Sequence, residues 1–136
     1  VSNALSILPE RRFFFIDGCL EHVKSRPGIR REAIRVARLL REQYRERWTL
    51  EGLGRRANLS RAQLVRVFLD GYGVTPAQYL TRVRVERMAD LLAEASLSVS
   101  EVARSCGWAD RGHATAVFTQ RMRMTPRQFR LAQQPN

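Results

Sequence analysis

The sequence predicts an all-α fold of two tandem helix-turn-helix subdomains joined by a long linker helix. Three observations lead there. From residue 29 onward, apolar residues recur at three- and four-residue spacing, as on helices with one buried face. Short capping signals interrupt that spacing. The pattern then repeats: Phe68 and Phe118, Thr75 and Thr125, Pro76 and Pro126, and Gln78 and Gln128 share one offset of 50 residues.

The elements follow in order. Ala33, Ile34, Ala37, Leu40, Tyr44 and Trp48 fall on one stripe with arginines opposite, so the spacing predicts an amphipathic helix running to Trp48. Thr49-Leu50-Glu51 offers a cap with an acid in the first turn, opening a short helix that buries Leu50, Leu53 and Ala57. Asn58-Leu59 is a turn. Ser60 with Gln63 fits a capping box, and the helix it starts buries Leu64, Val67 and Phe68 before Gly71 and Gly73 close it.

Thr75-Pro76-Ala77-Gln78 begins the linker helix, with proline at the first helical position, where a missing N–H costs nothing. Its apolar stripe, Tyr79, Leu80, Val83, Met88, Leu91 and Leu92, runs to about residue 94. The second copy opens on the capping box Ser98 with Glu101 and buries Val102 and Ala103. Cys106-Gly107-Trp108 is its turn. Asp110 caps a helix carrying Ala114, Val117 and Phe118, and Thr125-Pro126-Arg127-Gln128 copies the earlier start. The expected boundaries are an N-terminal extension or linker remnant over 1–28 and one helical domain, whose DNA-binding role is argued from charge below, over 29–136. The latter divides into 29–75, the linker helix 76–97, and 98–136.

Residues 1–28 stay outside the repeat. Phe13 to Phe15 followed by Asp17-Gly18 suits a strand remnant or a short packing helix, and Arg26-Pro27-Gly28 suits a linker. The longest apolar run, Phe13 to Ile16, is too short to cross a membrane, and no secretory signal is recognisable. A cytoplasmic protein without a membrane partner is expected. The two cysteines, Cys19 and Cys106, lie far apart and read as free buried thiols.

Charge points to the partner. The net charge is +11, from 24 basic and 13 acidic residues, and every basic side chain except Lys24 is arginine. A small, strongly basic domain suits a polyanion. Arginine favours nucleic acid, because its planar fork matches phosphates and guanine edges. A helix-turn-helix holds its second helix at a steep angle, ready to enter a major groove of double-stranded DNA. A bridge of roughly 19 residues spans about 28 Å, near the roughly 34 Å between successive major-groove faces on one side of the duplex. One chain, as a monomer, then serves an asymmetric site. The rival reading from another class is a helical adaptor that binds RNA polymerase or an acidic protein partner without reading DNA, with Phe13 to Phe15 as its docking patch.

These residues carry a resemblance. Leu50 to Arg66, Phe68 to Pro76, Tyr79 with Arg84-Val85 and Leu91-Leu92, Val102-Ala103 with Gly107-Trp108, and Thr125-Pro126 through Phe129-Arg130 resemble the DNA-binding region of AraC/XylS transcription regulators. The likeness covers about residues 30 to 131. It implies two helix-turn-helix subdomains on a long linker helix, reading adjacent major grooves of bacterial promoters. Family members usually carry a ligand-binding or dimerising domain before this region; with residues 1–28 there, the chain reads as a stand-alone member or an excised fragment. It departs from the pattern at Gly54, where alanine is usual, at Met88, where a small residue is usual, and at Arg123, where the first copy has Gly73.

Helical geometry selects the reading side chains. In the first copy Ala62, Val65, Arg66 and Leu69 point outward, with Arg61 at the edge. Arg66 is the candidate for guanine O6 and N7, and Ala62 and Val65 for thymine methyls. In the second copy Gly112, Thr115, Ala116 and Thr119 face out, with Arg111 at the edge, so only Arg111 and Thr115 offer hydrogen bonds. That asymmetry predicts that the Arg66 copy carries most of the sequence information. Arg55, Arg56, Arg104, Arg121, Arg123 and Arg127 are candidate phosphate contacts. Cys19 with His22 and Cys106 with His113 would have to converge to hold zinc, and the repeat assigns them to different places. No metal, cofactor or catalytic constellation is expected.

Overall fold

The computed structural model describes residues 30–94 and 96–134. The expectations for Phe13 to Phe15, Cys19, His22 and the 26–28 linker lie outside the described residues. Among those described there are seven α-helices and no strand: α1 (Arg31–Glu42), α2 (Leu50–Ala57), α3 (Arg61–Tyr72), α4 (Pro76–Glu94), α5 (Val99–Ser105), α6 (Arg111–Met122) and α7 (Pro126–Gln133).

The caps form as their residues dictate. Ser60, Ser98 and Thr125 each accept from the backbone N–H three residues on, and Gln63, Glu101 and Gln128 return the bond to the cap's own N–H. Thr75 and Gln78 exchange the same pair of bonds at 3.1 and 2.9 Å. Asp110 accepts from the N–H groups of Gly112 and His113. Replacing such a cap with alanine typically costs about 1 kcal/mol, so the sequence marks its helix starts with real free energy.

Two cores result, and α4 is a wall of both. Tyr79 and Val83, in its first half, close a core with Leu40, Leu64 and Phe68. Val85, Met88 and Leu92, further along, close a second with Val102, Phe118 and Phe129. Phe68 meets Tyr79 edge-on, as Phe118 meets Phe129. Each such side chain contributes roughly 1.5–3 kcal/mol when taken out of water.

One expected element is corrected. α1 stops at Glu42 instead of running to Trp48, and Val36 rather than Ile34 completes its buried face. The cause is a competing donor. Arg84 of α4 takes the carbonyls of Tyr44 and Glu46, at 2.8 and 2.9 Å, and the Trp48 indole donates to the Gln43 carbonyl at 2.8 Å. Gly71 also lies inside α3, and Gly73 alone, at φ 76°, caps its end.

The departures at Gly54 and Arg123 acquire physical reasons. The cap-to-cap span Thr49–Ser60 is one residue shorter than Ser98–Asp110. In that tighter corner a Cβ on Gly54 would stand 2.5 Å from the Leu59 carbonyl oxygen; the longer corner has Ala103 at the corresponding place. Arg123 adopts the left-handed conformation, φ 63°, as the C-cap of α6, at a cost of about 1 kcal/mol for a residue with a Cβ.

Candidate nucleic-acid interface

α3 turns Leu64, Val67 and Phe68 into its core, which leaves Arg61, Ala62, Arg66 and Leu69 exposed and Val65 half-buried. With Asp70 these six side chains outline one shallow, mostly apolar depression along the helix. The helix therefore exposes an apolar strip with the side chains of Arg61 and Arg66 beside it. Arg61 also meets Glu51 of α2 at 3.2 Å; both are exposed, so that pair is weak and readily exchanged.

α6 places Ala114, Phe118 and Met122 inward and leaves Arg111, Gly112 and Ala116 exposed, with Thr115 half-buried. The Thr119 hydroxyl is turned back to the Thr115 carbonyl at 2.7 Å. Packing within the protein does not demand glycine at 112. An added Cβ would meet only the Asp110 carboxylate, at 3.6 Å and beyond, so the smallness belongs to the outer face. His113, considered in the sequence only as a zinc ligand, is exposed beside Gly112 and meets the Trp108 ring edge-on at 5.2 Å.

The candidate phosphate arginines divide by setting. Arg55 and Arg56 lie exposed in the last turn of α2, with the Arg56 guanidinium over the Trp48 ring. Arg104 is exposed in the last turn of α5, Arg123 at the end of α6, and Arg127 in the first turn of α7. Arg121 is half-buried and already engaged.

The joint between the two units carries residues that periodicity did not single out. Besides its two carbonyl acceptors, the Arg84 guanidinium lies over the Trp108 ring at 5.7 Å. Burial pulls its pKa below the usual arginine range, with Cys106 opposing the shift. Gly107, at φ 96°, lets the chain pass at this point. A Cβ there would stand 2.9 Å from the Tyr44 carbonyl oxygen and 3.0 Å from both Arg45 Cα and Arg84 Nε. Among the described residues, no group of three or more His, Cys, Asp or Glu side chains could hold a metal ion, and no helix is long and apolar enough to cross a membrane.

Comparison with known proteins agrees with this arrangement. A family model described as a helix-turn-helix domain matches residues 53–132. An uncharacterised HTH-type transcriptional regulator of Haemophilus influenzae is 33% identical over 89 residues, which is 65% of this chain and 30% of that protein. The HTH-type transcriptional activator RhaS of Escherichia fergusonii is 33% identical over 91 residues, 67% of this chain and 33% of its own length. The DNA-binding domain of AdpA, a global transcriptional factor crystallised with a target DNA, superposes with a TM-score of 0.71 at 30% identity, over 74% of this chain and 91% of that one. This chain spans about a third of the length of the curated relatives it matches. With the matched region extending over both helix-turn-helix units, the chain belongs to the AraC/XylS-type family of helix-turn-helix regulators, which is not a family of enzymes.

Proposed function

We propose that the chain is the sequence-specific DNA-binding region of a transcription regulator, placing α3 and α6 in adjacent major grooves of an asymmetric bacterial promoter site and doing so as a monomer. One observation carries this reading. The two helices that follow the turns each expose a strip flanked by arginine on the side away from their cores, apolar on α3 and of small residues on α6, and one 19-residue helix joins their units. At about 1.5 Å per residue that helix spans about 28 Å, close to the rise of one duplex turn. AdpA's DNA-binding domain, with the same fold, was crystallised on a target DNA.

The halves are unequal. α3 presents Arg61 and Arg66 on its outer face, whereas α6 presents Arg111 beside Gly112 and Ala116. Base discrimination therefore rests chiefly on α3, and α6 contributes mainly through the backbone, with Arg111 and Thr115 as its readers.

Selection of bound sequences from a random DNA pool tests the proposal. The expected product is a site with two blocks about one helical turn apart, the α3 block carrying more information. Failure to enrich any sequence, with nonspecific retention of all fragments, would favour the adaptor reading instead.

A further inference from the structure

The joint between the two units forms a cleft of about 550 Å³. Arg45, Arg47, Arg84 and Arg104 line it together with Trp48 and Trp108, the only tryptophans of the chain. Among the described residues, no Asp or Glu side chain does. Arg84 is half-buried, donates to two neutral carbonyls, and pairs with no carboxylate among the described residues. Trp108 is 8% exposed, and its buried indole N–H has no acceptor among the described residues. Four arginines around one cleft, the half-buried Arg84 among them without a counter-charge, favour an anion there.

We propose that this cleft is a binding site for a phosphate group. The guanidinium forks supply charge-assisted hydrogen bonds to its oxygens. Its position between the two units favours the DNA backbone phosphate that lies between the two grooves, a choice of source that rests on the function proposed above. A free phosphate-bearing ligand offers the same chemistry. Filling the site from the duplex draws the turn at 43–48, the linker helix and the α5–α6 corner onto one anion, so that the two units are held in one orientation on DNA.

Two arms separate the sources. In one, inorganic pyrophosphate is titrated at constant ionic strength while tryptophan emission is followed, since both fluorophores line the cleft. In the other, the selected duplex carries a single neutral methylphosphonate at successive positions. One phosphate between the two contact blocks is expected to weaken binding about tenfold when neutralised, with the effect shrinking below about twofold in R45Q/R47Q. The variant R35Q/R38Q, which removes as much charge from the exposed face of α1, is expected to behave as wild type. An emission change lost in R45Q/R47Q, with no sensitive central phosphate, assigns the site to a free phosphate ligand. Silence in both arms, or equal losses in R35Q/R38Q, overturns the proposal even if the DNA is bound selectively. If wild type selects no DNA, the proposed function fails and the pyrophosphate arm alone decides the site.

Discussion

Arg84 donates from its Nε to the carbonyl oxygen of Tyr44 at 2.8 Å, 40 residues back in the chain. Tyr44 packs against both hydrophobic cores. The bond thus ties the end of the α1 segment to the middle of the linker helix at the place where the two units meet. It explains why α1 ends early, and it makes the joint a built contact rather than a bare length of helix.

Gly107 is the expected weak point of that joint. Gly107→Ala forces a side chain onto a backbone at φ 96° and into contact with Tyr44 and Arg45 backbone atoms at 2.9 and 3.0 Å. A loss of about 1–3 kcal/mol is expected, read as a lower urea midpoint with an unchanged denaturant slope. An unchanged midpoint would show that the corner shifts freely and that Arg84 does not hold it.

Arg66 is the expected base reader on α3. Arg66→Ala is expected to cost roughly 1–3 kcal/mol on the preferred site and to relax selection at one base pair. Removing a candidate phosphate arginine such as Arg127 is instead expected to weaken all sequences alike and to reduce the slope of affinity against salt by about one ion. Competition binding on the selected site and single-base variants distinguishes them, and a uniform loss for Arg66→Ala would move that residue to the backbone group.

Much of this was legible in the sequence because the signals were local. Capping boxes at Ser60, Ser98 and Thr125 act within three residues, and the outward strip of α3 follows from the spacing of Leu64, Val67 and Phe68. The end of α1 was not legible. Tyr44 and Trp48 continue the helical stripe in sequence, and only Arg84, packed against them in space, draws off the carbonyls. The joint cleft was hidden for the same reason. Its residues are scattered from Arg45 to His113, and nothing in the spacing distinguishes Arg84 from the chain's other arginines.

The two α-helix ends that follow α3 and α6 test each other. Gly73 and Arg123 occupy the same left-handed C-cap, at φ 76° and 63°, and both are exposed. Arg123→Gly is expected to raise stability by about 0.5–1 kcal/mol, the relief of the left-handed cost less the extra freedom of an unfolded glycine. Gly73→Arg is expected to lower it by about 1 kcal/mol. Thermal unfolding of the two variants and of their combination decides the matter. If both changes are neutral, these turns relax to other conformations and the strain at Arg123 is not stored.

Cys106 gives the chain a pH signature. Its thiol is fully buried, and desolvation pushes its pKa up to about 12, with Arg45 opposing and Asp90 adding to the shift. The folded state therefore holds the proton more tightly than the unfolded state, whose thiol titrates near 9. This contribution is fully present below pH 9 and is lost as pH rises from there towards 12, at up to about 1.4 kcal/mol per pH unit. In a Cys19→Ser background, Cys106 is expected to resist thiol reagents at pH 8–9 until the protein is unfolded, because the thiolate is the reacting form. Adding Cys106→Ala lowers overall stability but is expected to make the decline between pH 9 and 10 shallower, leaving the part due to Tyr72 and Tyr79, whose burial also raises their pKa values. Rapid labelling of native Cys106, or an equally steep decline without it, would show that the thiol titrates as if it were in water.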